Sequence, residues 1–161
     1  MGQNLWGNLD GLIEGIKNPK ELLDEQAEYL EKQFNGLVKC RILRIELREE
    51  WKKFYQNLGG ESDFIYSFKL YSDYVEKYGY EICTLAYGIK MYPVAISFGE
   101  GIAEELNNDL KIEDGDTIIV KDEKELYVVL GKILTSKEVH QVLRGLLSIA
   151  KKEKESQEWP F

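Results

Sequence analysis

Two runs of alternating residues, joined by a short polar loop, place the strongest constraint on how this chain folds. Large apolar side chains recur at every second position in both runs, first at Phe64, Tyr66, Phe68 and Leu70, then at Cys83, Leu85, Tyr87, Ile89 and Met91. A period of two is that of a half-buried β-strand. Residues 76–79 end in a glycine and are a turn candidate between the runs. The pattern therefore predicts an antiparallel hairpin.

Three further segments are typical of strands. Residues 94–98 and 117–120 are short apolar runs, and Pro93, which lacks a backbone N–H, marks a strand break or an edge before the first of them. In residues 37–47 the apolar phase changes by one residue, with Val38, Cys40 and Ile42 on one face and Leu43, Ile45 and Leu47 on the other. Such a shift indicates a β-bulge or a kink.

Capping signals predict where helices begin. Asn18, Pro19 and Glu21 have the types and spacing of a helix start, and Gly36 follows as a stop. The apolar face of that helix is Leu23, Ala27, Leu30 and Phe34. A second helix is predicted to begin at a boundary within residues 46–50 and to end at Gly59 and Gly60. Its apolar face is Leu47, Trp51, Phe54 or Tyr55, and Leu58.

Later in the chain, residues 102–106 are a candidate for a short helix between glycine-rich and acidic segments. Asp122 with Glu125, and Thr135 with Glu138, have capping-box spacing and predict two more helices. Their apolar faces are Leu126, Val129, Leu130 and Ile133, then Val139, Val142, Leu143, Leu146 and Ala150. Helices at both ends of a central group of strands predict an α+β fold, a mainly antiparallel sheet packed with N-terminal and C-terminal helices on one face.

The length of 161 residues fits a single domain. We expect residues 1–17 to form an N-terminal arm or a short helix, residues 18–152 to form the α+β domain, and residues 153–161 to form a frayed C-terminal tail. No stretch approaches the roughly 18 uncharged apolar residues of a membrane span, so no membrane partner is expected. Residues 1–6 also lack the basic start and apolar core of a signal peptide, which favours a cytoplasmic location.

The net charge of the chain limits the classes of partner that we expect. The formal net charge is −8, and such a surface repels phosphate backbones, so we expect no nucleic acid. The same charge favours a basic protein partner. Cys40 and Cys83 lie in apolar segments outside any C-x-x-C pair, and we expect free thiols in a reducing cytosol, with a single disulfide as the alternative.

Sequence motifs for catalysis, metal binding or cofactor binding are weak in this chain. His140 is the one histidine and has no sequence partner that suggests a metal site or a catalytic base. Neither a dinucleotide fingerprint nor a P-loop surrounds Gly99 and Gly101, so no cofactor is expected. Acidic residues cluster at Glu100, Glu104 and Glu105, and again at Asp109, Glu113, Asp114 and Asp116. Solvated faces and turn chemistry explain these clusters, and a divalent-cation site is the alternative.

Tyrosine is the unusual component of this sequence. Seven of the ten tyrosines fall within the hairpin-like stretch, at Tyr66, Tyr71, Tyr74, Tyr78, Tyr80, Tyr87 and Tyr92. Aromatic residues favour strands and pack across them, so strand structure alone accounts for the enrichment of tyrosine in this stretch. Tyrosine is also enriched at protein interfaces, so the alternative is that these residues form a recognition face on the sheet.

Two segments resemble small uncharacterised bacterial proteins of unknown function. One is Pro19-Lys20-Glu21-Leu22-Leu23-Asp24-Glu25-Gln26-Ala27-Glu28-Tyr29-Leu30, followed by Asn35-Gly36, and the other is Tyr87-Gly88-Ile89-Lys90-Met91-Tyr92-Pro93-Val94. The resemblance implies a bacterial origin and an N-terminal helix that leads into a sheet. It implies no activity and no site residues.

The sequence thus favours a non-enzymatic binding protein of the immunity or inhibitor kind, with acidic groups that steer a basic partner and tyrosines that supply contact area. One alternative is a homo-oligomeric scaffold, in which the apolar faces of the terminal helices pair between chains. Another is a divalent-metal-dependent hydrolase that uses Glu100, Glu104 and Glu105.

Overall fold

The computed structural model describes residues 2–46, 48–57, 59, 61–107, 110, 112 and 116–158. In chain order its elements are α1 (Pro19–Gln33), β1 (Lys39–Arg44), α2 (Glu49–Asn57), β2 (Phe64–Tyr71), β3 (Tyr80–Tyr87), β4 (Val94–Phe98), α3 (Glu100–Leu106), β5 (Thr117–Val120), α4 (Glu123–Leu134) and α5 (Lys137–Glu158).

The five strands form one sheet in the order β1-β2-β3-β4-β5, and every neighbouring pair is antiparallel. The α+β class and the antiparallel sheet are therefore confirmed. The hairpin that the alternating runs predict is β2–β3. Its second run ends earlier than expected, because Gly88 and Met91 form a turn and the Ile89 side chain is exposed.

The main core lies on one side of the sheet, which we call the first face. It carries Leu85, Ile96 and Ile118, which are paired across β3, β4 and β5. Buried side chains of α1, α3, α4 and α5 pack against this face in one cluster with the strands. The apolar faces predicted for α4 and α5 are those that pack there. Leu22 of α1 is fully buried beside Leu23, although the predicted stripe included only the second of them.

One helix lies against the opposite side, the second face, which carries Ile65, Ala86 and Ala95. Tyr55 of α2 packs on these three residues in a smaller buried cluster. The expectation that the helices share one face is therefore wrong for α2.

The phase change in β1 has a different cause from the one expected. β1 pairs with β2 without a register shift. Leu43 lies opposite Ser67 on the second face, where it is exposed, and Ile45, just beyond β1, packs into the smaller cluster with α2. The irregularity lies in the next strand pair instead. Phe68 pairs with Cys83 but Lys69 pairs with Glu81, so Ile82 is the extra residue of a bulge in β3.

Two of the three predicted caps are confirmed. The Asn18 side chain accepts from the Glu21 backbone N–H at 3.1 Å, and Asp122 accepts from that of Glu125 at 2.8 Å. The third cap shifts by one residue. Thr135 ends α4 and donates its hydroxyl to the Gly131 carbonyl, so Ser136 caps α5 and accepts from the backbone N–H of Val139 at 3.3 Å. Therefore the Thr135–Glu138 box does not form.

The ends of the chain differ from each other. Residues 2–17 contain turns at Leu9–Leu12 and Gly11–Glu14 but no helix, and their side chains are exposed. Residues 153–158, which the sequence placed in a tail, continue α5 without a break. Within the described residues, no helix has both the length and the apolar character needed to cross a membrane.

Candidate functional site

A row of hydroxyl side chains crosses the second face of the sheet. Each of strands β2 to β5 contains one Ser or Thr, and the register places Ser67 opposite Thr84, Thr84 opposite Ser97, and Ser97 opposite Thr117. Ser97 Oγ and Thr117 Oγ1 are 3.0 Å apart. The next row toward α2 is apolar, so the hydroxyl row marks the limit of the area that α2 covers.

The bulge in β3 joins a carboxylate to this row. In a regular strand, residues three apart lie on opposite faces, but the extra residue Ile82 returns Glu81 to the face of Thr84. One oxygen of Glu81, Oε1, accepts hydrogen bonds from Ser67 Oγ and from Thr84 Oγ1, both at 2.7 Å. The bulge therefore fixes the Glu81 carboxylate at the β2–β3 end of the row.

A second carboxylate and a tyrosine complete the other end. Thr117 Oγ1 donates to Asp116 Oδ1 at 3.2 Å, and the Tyr55 hydroxyl lies 3.3 Å from Ser97 Oγ. Burial raises the pKa of Tyr55 above its ordinary value, so its hydroxyl is neutral at physiological pH. Tyr55 thus links α2 to the hydroxyl row.

These groups border a recess of about 270 Å³, which we call the acidic recess; it is lined by Glu81, Thr84, Ser97, Gly99 and Asp116 together with neighbouring strand residues. No lysine, arginine or histidine lines it among the residues that the structure describes. Neither of its two carboxylates forms an ion pair within that part of the chain. The recess can therefore accept a cationic group that brings several hydrogen-bond donors.

The seven candidate tyrosines do not share one face. Tyr66 and Tyr87 lie on the first face with ring centroids 6.0 Å apart, and Tyr80 and Tyr92 are half-buried against the same core. Burial raises the pKa of both Tyr87 and Tyr92 to about 12. These four residues pack the core in the way that strand propensity predicts.

The other three tyrosines lie near the β2–β3 loop. Tyr71 and Tyr78 line a second cavity beside β1 and β2, and Tyr74 lies under the ammonium of Lys154, 5.9 Å from its ring centroid. Tyr78 is the most exposed of the seven, at 42%. The candidate recognition set is thus divided between the core, one cavity, and the contact of Tyr74 with Lys154.

The remaining sequence candidates lie apart from the acidic recess. His140 is exposed at the edge of an apolar groove between α1 and α5, whose described lining contains no carboxylate. The Glu105 carboxylate accepts from the backbone N–H groups of Lys137 and Glu138, at 2.8 and 3.1 Å, so it caps α5. Three of the acidic candidates, Asp109, Glu113 and Asp114, lie outside the described residues.

No three His, Cys, Asp or Glu side chains converge as metal ligands in the described part of the chain. Both cysteines are free thiols, Cys83 buried and Cys40 half-buried on the first face. Burial raises the pKa of the Cys40 thiol to about 12 and that of Cys83 further, so both thiols are protonated at neutral pH. Protonated thiols are poor nucleophiles.

The sequence did contain a signal for the hydroxyl row, because four successive strands each hold one small hydroxyl residue. Spacing along the chain does not give the cross-strand register that aligns them. No family model, curated protein or solved structure matches this chain.

Proposed function

We propose that this domain is a non-enzymatic binding protein that captures a basic protein partner, as immunity and inhibitor proteins do, in the cytoplasm of a bacterium. The observation that carries the proposal is the acidic recess, in which Glu81 and Asp116 have no cationic partner among the described residues. The two free thiols fit a reducing compartment.

The donors that hold these carboxylates leave room for a partner. Glu81 receives both of its hydrogen bonds on Oε1, and Asp116 receives one on Oδ1. The second oxygen of each carboxylate has no donor within the described residues. A carboxylate can accept about four hydrogen bonds, so an arginine or lysine of the partner can add its own donors here.

Electrostatics favours the same class of partner. The formal net charge of −8 attracts a basic protein before contact, within a Debye length of about 10 Å at 0.1 M salt. The hydroxyl row then fixes the carboxylates in place, which reduces the entropy lost on binding. We therefore expect association that weakens as salt concentration rises.

Neutralising the recess tests this proposal. The double variant Glu81→Gln with Asp116→Asn is expected to lose at least about 30-fold in affinity, because the loss of a charge pair that becomes desolvated in the complex costs about 2–5 kcal/mol. The matched control, Glu104→Gln with Glu153→Gln, makes the same change in net charge at exposed positions outside the recess.

The measurement begins with tagged wild-type, variant and control proteins in a low-salt bacterial lysate, followed by mass spectrometry. Basic proteins retained by the wild type and the control but lost by the recess variant are then titrated by calorimetry at two salt concentrations. Equal recovery by all three proteins, or recovery of acidic proteins only, would contradict the proposal.

A second candidate function, self-association, is favoured by the N-terminal arm, residues 2–17. Six large apolar side chains of the arm are 48–89% exposed, namely Leu5, Trp6, Leu9, Leu12, Ile13 and Ile16. A single soluble chain rarely leaves such a contiguous apolar segment uncovered. The apolar groove between α1 and α5, about 300 Å³ in volume, is of matching character. The proposed occupant is the arm of a second copy.

Polar substitutions in the arm test this second candidate. The variant Leu12→Ser with Ile13→Ser is expected to be monomeric by light scattering at a concentration at which the wild type has the mass of a dimer. The control Asn4→Ser with Asn8→Ser changes the arm without removing apolar area. A strictly monomeric wild type at high concentration would exclude arm exchange.

A further inference from the structure

A cavity lined by several cationic side chains lies on the second face of the sheet, toward the β2–β3 loop. Its volume is about 490 Å³, and we call it the basic cavity. Its charged and aromatic lining residues are Arg41, Lys69, Tyr71, Asp73, Glu76, Lys77 and Tyr78, so three cations and two carboxylates line it. Volumes of about 300–1,000 Å³ are usual for sites that take small molecules. Three cations around one cavity are unexpected in a chain whose formal net charge is −8.

Two of these cations are placed directly opposite each other. Arg41 of β1 pairs in register with Lys69 of β2, so both side chains project from the second face at neighbouring positions. Like charges at opposed positions of an antiparallel pair are destabilising. An anion bound between them would remove that repulsion, so the pair is better suited to the occupied cavity than to the empty one.

The neighbouring carboxylates do not neutralise this pair. Glu81 is opposite Lys69 on β3, but its bonded oxygen accepts from the hydroxyl row, and the two residues form no ion pair. The Asp73 carboxylate forms an ion pair with Lys39, with 2.9 Å between Asp73 Oδ2 and Lys39 Nζ. In the part of the chain that the structure describes, Arg41, Lys69 and Lys77 form no ion pair with any carboxylate.

Contacts hold one side of the basic cavity in place. The guanidinium of Arg41 lies over the ring of Tyr71, 4.2 Å from its centroid, which fixes its plane. Where the loop begins, the buried Ser72 donates its hydroxyl to the Leu37 carbonyl at 2.8 Å and accepts from the Tyr74 backbone N–H at 3.2 Å. A binding site that is formed in advance loses little entropy when its ligand enters.

From this arrangement we propose that the basic cavity binds a small phosphate ester that carries a planar ring, the chemistry of a nucleoside monophosphate. The phosphate binds between Arg41 and Lys69, with Lys77 as a third cation. The ring lies against Tyr78, which lines the cavity and whose side chain is 42% exposed. A long polyanion is repelled by the rest of the surface, whereas a small anion needs only the cavity.

Calorimetric titration of the full chain tests the site, with adenosine monophosphate, inorganic phosphate and adenosine as three separate probes. We expect the monophosphate to bind saturably and more tightly than either inorganic phosphate or adenosine. The variants Arg41→Gln and Lys69→Gln are each expected to weaken its binding by about 10-fold or more, since each removes a charge-assisted contact to the phosphate.

The control is Arg44→Gln, on the same strand with the same change in charge. Arg44 pairs with Tyr66 and its guanidinium lies over the Phe64 ring, so it projects from the first face. It is expected to leave binding unchanged.

Each other outcome counts against the proposal. No heat with the monophosphate at millimolar concentration removes the site. Equal affinity for inorganic phosphate and the monophosphate removes the ring contact at Tyr78. Equal weakening by Arg41→Gln and Arg44→Gln means that general surface charge, and not the basic cavity, attracts the anion. None of these results depends on the acidic recess, so the two proposals fail or stand separately.

Discussion

Replacing Phe68 with alanine is expected to lower the free energy of unfolding by about 3–5 kcal/mol, the usual cost of removing a buried aromatic side chain. Phe68 is 1% exposed and lies in the main core on the first face. It is also the last residue of β2 before the register shift opposite Ile82. The truncation therefore leaves a cavity at a place where the sheet is already irregular.

Urea denaturation followed by circular dichroism measures this effect. The control is Ile89→Ala, whose side chain is 75% exposed in the turn after β3 and should change stability by about 0.5 kcal/mol or less. Domains of this kind are stable by about 5–15 kcal/mol, so the Phe68 variant loses a large part of the total. A loss below about 1 kcal/mol would mean that Phe68 is not packed as described.

The second large effect is expected at Tyr55, on the opposite side of the sheet. Tyr55 is 5% exposed and is the buried anchor through which α2 contacts Ile65, Ala86 and Ala95. α2 has nine residues, and a helix of that length is marginal in water without tertiary contacts. We therefore expect Tyr55→Ala to release and melt α2, at a cost of about 3–5 kcal/mol for its docking.

Hydrogen exchange locates that loss. Amides of α2 are expected to lose protection in the Tyr55→Ala variant, while amides of β3 and β4 remain protected. The matched variant Tyr55→Phe keeps the ring and removes only the hydroxyl beside Ser97, so it should cost about 0.5–1.5 kcal/mol and leave α2 protected. Unchanged α2 protection in Tyr55→Ala would show that another contact holds the helix.

Local signals predicted much of the fold. The Asn18 and Asp122 caps form as their residue types require, and the stripe from Leu126 to Ile133 is buried. The β2–β3 hairpin follows directly from its alternation. In these elements the information lies within a few residues of the structure it specifies, so periodicity and capping chemistry are sufficient.

Two of the errors have their physical origin in contacts between distant segments, and one is a local shift of a helix boundary. Ile45 is apolar because α2 covers part of the second face, and only the folded sheet reveals which face that is. Ser136 replaces Thr135 as a cap because α4 ends one residue later than its pattern indicated. Glu105 contacts the start of α5 across a long sequence separation.

The site was the least predictable part for the same reason. Tyrosines cluster in the sequence but diverge in space, since residues such as Tyr66 and Tyr71 lie on opposite faces of β2. The hydroxyls show the reverse, because they are scattered in sequence and aligned by register. The one bulge residue, Ile82, places the Glu81 carboxylate on the same face as the hydroxyl row. The periodicity of the sequence does not mark Ile82 as a bulge.

The strand order has a consequence for how the chain acquires its shape. Since each strand pairs with its predecessor in the sequence, no strand waits for a strand partner that is synthesised much later. Sheets of this kind close short loops and avoid the slow search that distant pairings impose. During synthesis on the ribosome, β2 to β5 can therefore join the sheet one at a time. The helices α4 and α5 follow β5 in the chain and then cover the first face.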